Sequence, residues 1–345
     1  MNIRAPASVT SAVIAALLLA GCDRIPEIEL AQGEAQGTTY HIKWWSEDAP
    51  DRGDIDADLT RVLRKIDQDI STYRDDSWIS RFNDSRTTDW QAAPPEVIHL
   101  LQIARMVNER SQGCYDPTVA PLFDLWGFQN ENFQVPTDAA IREAMTHVGL
   151  EHLEIDADAG KIRKTIPELS IDLSSMGEGY SVDQIAAMLE SHGIHDYLAE
   201  LGGDMRIRGA KPDDEPWRVG IETPTPGERR TGNVVTVNDR QGLSLNTSGT
   251  YRRYFDDSGH AYGHIIDPRS GTPVTHDLVS ATVFGHEAAV SDAWATTMLC
   301  LGREQGTEVA DREGLPVYLI ERRGEKDFTD SRTKALSETD RLTLK

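Results

Sequence analysis

Between residues 55 and 70, apolar side chains return at Ile55, Leu59, Val62, Leu63, Ile66 and Ile70, the spacing of a helix with one buried face. The same period marks a second helix through Val97, Ile98, Leu101, Ala104 and Val107, preceded by Pro94-Pro95. Thr137-Asp138 opens a third, with Ile141 and Met145 on one side. Val182, Ile185, Ala186 and Leu189 mark a fourth, directly after a glycine-marked turn at 172–180. The first strand reads as Thr38–Trp44. Further strand candidates are Leu169–Leu173, Tyr197–Glu200, Met205–Arg208, Arg218–Glu222, Val234–Val237, Leu278–Phe284 and Val317–Ile320. Helices and strands are mixed, with hairpin-length loops in the second half, so the pattern predicts an α+β fold. From Arg322 onward the chain is polar and charged and is expected to pack late or fray. No repeat of solenoid period appears.

The N-terminus changes the picture most. Arg4 precedes an apolar run, Ala12–Ala20, which is too short to span a bilayer and reads as the core of a signal peptide. Leu19-Ala20-Gly21-Cys22 resembles a bacterial lipobox. The resemblance implies cleavage before Cys22 and acylation of that residue on sulfur and nitrogen; several acyl chains anchor stably where one does not. Asp23 resembles the signal that retains Gram-negative lipoproteins in the inner membrane. The expected organisation is a signal peptide at 1–21, a lipidated tether at 22–33 and one domain at 34–345, on the periplasmic face of the inner membrane. Cys114 and Cys300 remain after processing. A disulfide is permitted in that compartment, but two cysteines make no framework, and buried free thiols are the expectation.

The 345 residues carry 35 Lys+Arg against 57 Asp+Glu, a net charge of -22. Such a surface repels nucleic acid and anionic headgroups. A phosphate-bearing ligand therefore needs a local cation or oriented N–H donors.

Candidate chemistry gathers in a few segments. Ser291–Thr297 lies on a helix-like stretch, where Asp292 and Thr296 stand four residues apart and share one face. Two hard oxygen donors suit Mg²⁺ better than zinc; a helix acid with a back-bonding threonine reads equally from the spacing alone. Asp172–Asp183 reads strand, turn, helix, with Gly177 and Gly179 around Glu178; it has neither the Lys-Ser/Thr of a Walker loop nor the third glycine of a dinucleotide fingerprint. Leu201-Gly202-Gly203-Asp204 and Leu245–Thr250 are small polar turns able to wrap phosphate or simply to reverse the chain. His264 precedes Ile265-Ile266 and a Pro/Gly turn, and a neutral histidine accepts protons near neutral pH. Tyr73 and Trp78 offer rings for stacking on a planar ligand.

Together these segments resemble the ApbE family of FAD:protein FMN transferases. The matching blocks are 36–40, 71–83, 116–128, 172–183, 201–204, 247–255, 262–273 and 291–297, in family order. The resemblance implies two similar β-rich subdomains with an FAD cleft between them. It implies a reaction in which FAD is split at its pyrophosphate, FMN passes to a threonine hydroxyl of a partner protein, and AMP leaves. Mg²⁺ would be held by the Gly177 carbonyl, Asp292 and Thr296. FAD would meet Gln36, Tyr73, Cys114, Tyr115, Asp116, Ser174, Glu178, Ile265 and Ile266. His264 matches the proposed base, with Asp292 as its rival. The acceptor, by family analogy, is a periplasm-facing subunit of a sodium-pumping NADH:quinone oxidoreductase or an Rnf-type complex.

The chain departs from the family at Gly177-Glu178-Gly179, where many members have Ala-Lys-Gly, and at Gln36 and Cys114. A backbone ligand survives the first change, but the basic side chain is lost. Two other functions fit the same residues: a Mg²⁺-dependent FAD pyrophosphatase, and a periplasmic lipoprotein that binds FAD without catalysis.

Overall fold

The computed structural model describes residues 26–48, 50–129, 132–225, 230–250, 254–257, 260–324 and 327–345. The signal peptide, the lipobox and Cys22 lie outside these residues, as do positions 251–253 of the 247–255 block. The chain opens with a hairpin, β1 (Glu29–Ala35) and β2 (Thr38–Trp45), turned at Gln36-Gly37, both with positive φ. Strand β1 thus overlaps the stretch 22–33 expected to be tether. There follow α1 (Arg52–Ile70), α2 (Trp78–Asp84), β3 (Gln91–Ala92), α3 (Pro95–Arg110), α4 (Ala120–Trp126), α5 (Asp138–Met145), β4 (Leu153–Asp156) and β5 (Lys161–Lys164). Next, α6 (Ser174–Ser191) leads into β6 (Asp196–Leu201), β7 (Asp204–Arg208), β8 (Arg218–Glu222), β9 (Thr231–Val237) and β10 (Leu243–Gly249). Short hairpins β11 (Tyr254–Asp257), β12 (His260–Gly263), β13 (Ile266–Asp267) and β14 (Thr272–Pro273) precede β15 (Leu278–Gly285), α7 (Ala288–Glu313), β16 (Val317–Arg322), β17 (Phe328–Arg332), α8 (Lys334–Glu338) and β18 (Leu342–Leu344).

The frame is one sheet in the order β1-β2-β6-β7-β10-β15-β16-β17, antiparallel at every pairing. It divides into two β-rich halves, β1-β2-β6-β7 and β10-β15-β16-β17, joined at the β7–β10 seam. Each half has a long helix behind it, α6 for the first and α7 for the second, and the two helices cross behind the seam. Ile185, Leu189, Tyr197 and Leu201 fill the first interface, and Ala293, Met298, Val283 and Leu319 belong to the core under the second. The opposite sheet face is covered by β18-β9-β8, where Val219, Ile221, Val235 and Val237 meet Ile207, Leu245 and Phe284. The fold is α+β, as expected.

Four local expectations are corrected. Gly177 and Gly179 sit inside α6, which begins at Ser174, not in a turn before it; Asp172 Oδ1 receives the Ser174 N–H at 2.8 Å and starts the helix early. The helix tolerates its glycines because packing against α7 overrides propensity. Residues 169–173 alternate as a strand would, with Leu169, Ile171 and Leu173 fully buried, yet they join no sheet. The Asn83 amide takes the place of a neighbouring strand, donating to the Ile171 carbonyl and accepting its N–H, both at 2.8 Å. Residues 245–249 are the end of strand β10 and not a loop. The polar C-terminus packs: β18 pairs with β9, burying Leu342 and Leu344, and Thr333 anchors α8.

The cysteines are not free. Cys114 and Cys300 form a disulfide, with Cα atoms 5.8 Å apart, that ties the segment after α3 to α7. The pairing closes a loop of 186 residues, too distant in sequence to be read from two cysteines. Reduction, or Cys300→Ser, should cost about 2–5 kcal/mol of stability, because the unfolded chain regains loop freedom. Thermal denaturation with and without reductant checks this; equal midpoints would mean the cross-link adds nothing.

Candidate active site

The centre of the site is the crossing of α6 and α7, and a missing side chain makes it possible. A Cβ on Gly179 would stand 2.5 Å from the Ala288 carbonyl oxygen and 2.8 Å from Asp292 Cβ. With glycine there, the Gly179 N–H donates to Asp292 Oδ2 at 3.1 Å. Gly179→Ala should therefore push the helices apart and displace Asp292, at about 1–3 kcal/mol for overpacking. Gly177→Ala should be nearly neutral, since its Cβ would meet only Ile70 Cδ1, at 3.7 Å. Melting curves of the two variants test the contrast.

Asp292 is buried, and its carboxylate lies against a second buried one, Asp204 at the start of β7. Burial first, then the Asp204 charge, holds Asp292 well above the usual carboxylate range, and the Glu178 charge adds to this. Asp204 is itself pushed up to about 6, chiefly by burial, although Thr247 donates its N–H to Asp204 Oδ1 at 3.2 Å. Glu178 reaches from α6 to the β6–β7 turn, where its carboxylate occupies the space a side chain on Gly202 would need. Beside them Asn246 is fully buried on β10, with its side-chain amide next to the Asp204 carboxylate.

Thr296 lies one helical turn after Asp292, and its hydroxyl meets Ser248 Oγ of β10 at 3.1 Å. The Gly177 carbonyl accepts the Ser181 hydroxyl at 2.7 Å, and Gln36 donates to that same hydroxyl at 2.7 Å. Gln36 is thus drawn from the β1–β2 turn onto α6. The start of α7 has no cap of its own; Asp183 of α6 accepts the Ala289 N–H at 3.0 Å. Burial pushes Asp183 up to about 6 despite Arg206 at 3.3 Å.

In front of Thr296 opens a cleft lined by Cys114, Tyr115, Asp116, Ser174, His264, Ile265 and Ile266 among others. The fold thus gathers residues from four separate segments, while Gln36, Tyr73 and Glu178 lie outside this lining. The Tyr115 hydroxyl meets Ser175 Oγ at 2.8 Å. Asp116 is committed locally: one oxygen takes the Thr118 N–H and hydroxyl, the other the Leu150 N–H. It shapes the wall, leaving little capacity for a ligand. The Cys114–Cys300 bridge joins this wall to α7 one turn beyond Thr296. Tyr73 stands apart, 79% exposed between α1 and α2, and is not among the residues lining the cleft.

The donor chemistry fits a hard divalent cation. Asp292 and Thr296 offer oxygen, and Gly177 a carbonyl nearby on α6. Two buried carboxylates in contact favour an added positive charge. Cys114, Asp267 and Cys300 also cluster, but both sulfurs are spent in the disulfide.

The sequence profile of the ApbE family matches residues 36–319. The chain belongs to the ApbE family. It is 36% identical over 328 residues to the FAD:protein FMN transferase of Vibrio cholerae, covering 94% of this chain and 97% of that one. It is likewise 36% identical to the Salmonella typhimurium protein of that name, covering 90% and 91%. Among solved structures it superposes on the Pseudomonas stutzeri flavinyl transferase ApbE in its apo form with a TM-score of 0.82 at 33% identity, covering 91% and 97%. For the Vibrio cholerae flavin transferase ApbE the TM-score is 0.80 at 32% identity, covering 90% and 99%.

Within this ApbE fold, sequence reasoning missed Asp204, Asn246, Ser248, Ser181 and Asp183. Asn246 carried a signal: an amide in the run Leu243-Ser244-Leu245-Asn246 occupies a strand position that should be apolar. The others needed the α6–α7 crossing to acquire meaning.

Proposed function

We propose that this chain transfers the FMN moiety of FAD to a threonine hydroxyl of an acceptor protein and releases AMP. One observation carries the reading: Thr296, one helical turn from the buried Asp292, lines a cleft that also holds His264, in a chain of the ApbE family. The acceptor oxygen attacks the FMN-side phosphorus, the bond to the AMP oxygen breaks, and the hydroxyl proton passes to His264. Mg²⁺, held by Asp292, Thr296 and the Gly177 carbonyl, supplies neutralisation of charge developing on the phosphates. Tyr115 and the side chains of Ile265 and Ile266 form the apolar wall for FAD.

The acidic surface makes that cation necessary, since FAD is anionic and no lysine or arginine lines the cleft among the described residues. Incubation with FAD, Mg²⁺ and a candidate acceptor, followed by weighing the acceptor, tests the reading. A mass gain of one FMN is expected. AMP and FMN released with no gain on any acceptor would leave the pyrophosphatase reading instead.

The location is part of the proposal: a protein anchored through Cys22 to the periplasmic face of the inner membrane, acting on a periplasm-facing subunit of a sodium-pumping NADH:quinone oxidoreductase or Rnf-type complex. No helix among the described residues is long and apolar enough to cross a membrane. Cys22→Ser should leave an unprocessed or soluble species. Recovery of that variant in membranes as processed, acylated protein would exclude the lipid anchor.

A further inference from the structure

The central sheet has a notch at its seam. The β6–β7 hairpin ends at the Leu201–Asp204 pair, but its neighbours on both sides continue. On one side β2 runs on through Thr39 and Thr38, which pair only with β1. On the other, β10 pairs with β7 only through Leu243–Leu245, while its pairing with β15 continues to Gly249. Among the described residues, then, Asn246–Gly249 have a strand on one side only. From β2 to β10 is three strand spacings, about 14 Å. The opening has a volume of about 340 Å³ and is bordered by the Gly202-Gly203 turn.

The free edge points into this opening. The Thr247 N–H reaches toward β7, where Asp204 receives it, and antiparallel alternation turns the Gly249 backbone the same way. The intervening residue, Ser248, faces the helices and touches Thr296 at 3.1 Å. One strand segment thus presents main-chain groups to the notch and a side chain to the ion-holding residues. Glu178 and Asp204 lie between the notch and that centre.

We propose that the notch receives the acceptor protein, a segment of which adds as an extended strand to the edge of β10 at Thr247–Gly249 and so delivers its hydroxyl beside Thr296. This rests on the transferase reading above. Strand addition takes affinity from main-chain hydrogen bonds, which suits an acceptor held at a loop or terminus. The flavin ring is the rival occupant, and the lining disfavours it: beside its glycines and threonines the notch has Glu200, Glu222, Arg230 and a few aliphatic side chains but no aromatic one to stack on, whereas the cleft has Tyr115 and Phe123. Two sites on opposite sides of the Asp292–Thr296 centre would let FAD and acceptor bind together and meet there.

Two variants test this. Thr39→Trp fills the notch from an exposed position on its far wall. Gly249→Pro removes the edge N–H while sparing the β15 side. Each full-length variant is returned to cells lacking the wild-type gene, and covalent flavin on envelope proteins is read by in-gel fluorescence. Purified variants are titrated with FAD in Mg²⁺. The expected result is at least a tenfold loss of covalent flavin with FAD affinity and melting temperature unchanged for Thr39→Trp. Labelling equal to wild type for Thr39→Trp would overturn the proposal, whatever Gly249→Pro does. A loss of FAD affinity would assign the notch to the flavin and overturn it too. If wild type itself binds FAD but labels nothing, the transferase reading fails first and the acceptor site with it.

Discussion

Asp292→Asn should lower flavin transfer by about a thousandfold or more, because it removes a charged ligand of the cation that neutralises the transition state. The fold should survive. Asparagine can still accept the Gly179 N–H now held at 3.1 Å, and the change removes one of two buried carboxylates in contact. Ion-free protein should therefore be at least as stable as wild type. The pH dependence has a definite sign. Asp204 is raised to about 6 in the folded state, above its unfolded value near 3.8, so the folded protein binds more protons between those values. Wild-type stability without Mg²⁺ should fall as pH rises from about 4 to about 6, and the variant should show a shallower fall. Millimolar Mg²⁺ should raise the wild-type melting temperature, by mass action on the folded state, and leave the variant unmoved. A variant that kept both the Mg²⁺ shift and the transfer activity would remove Asp292 from the metal site.

The same residue shows what a sequence can and cannot say. The i, i+4 relation of Asp292 and Thr296 was legible, because helical spacing alone places them together. So were the buried faces of α1, α3 and the core strands, where period and burial coincide. Asp204 was legible only as the end of a glycine turn. Its role appears when β7 lies under the α6–α7 crossing, a contact between residues 88 positions apart in the chain. The disulfide was hidden for a similar reason: nothing local distinguishes a bridged cysteine from a buried thiol. Residues 169–173 misled in the opposite direction. Their alternation truthfully reported burial, but Ile171 pairs with the Asn83 side chain and Asp172 with the Pro117 carbonyl, and no pattern of apolar residues records that. The glycines of α6 misled because local propensity reads them as a turn, while the close approach of α7 needs one of them, Gly179, inside a helix.

His264→Ala should slow transfer by about two to four orders of magnitude, the usual contribution of a positioned general base. The acceptor hydroxyl is a weak nucleophile and must lose its proton as it attacks phosphorus. His264 lines the cleft, as does Thr296, so base and metal site face the same space. Asp292 is the rival, and its surroundings argue against it. It is buried, accepts the Gly179 N–H and is pressed against Asp204, so its charge is better spent on a cation than on a mobile proton. FAD affinity should change little in the variant, because the histidine is not needed to hold the cofactor. The acidic limb of the pH–rate profile, where a histidine base becomes protonated, should disappear. His264→Gln, which keeps a polar side chain of similar reach but cannot take up the proton, should be as slow as the alanine variant. Near-normal transfer by either variant at saturating FAD and Mg²⁺ would return the proton to Asp292 or to solvent.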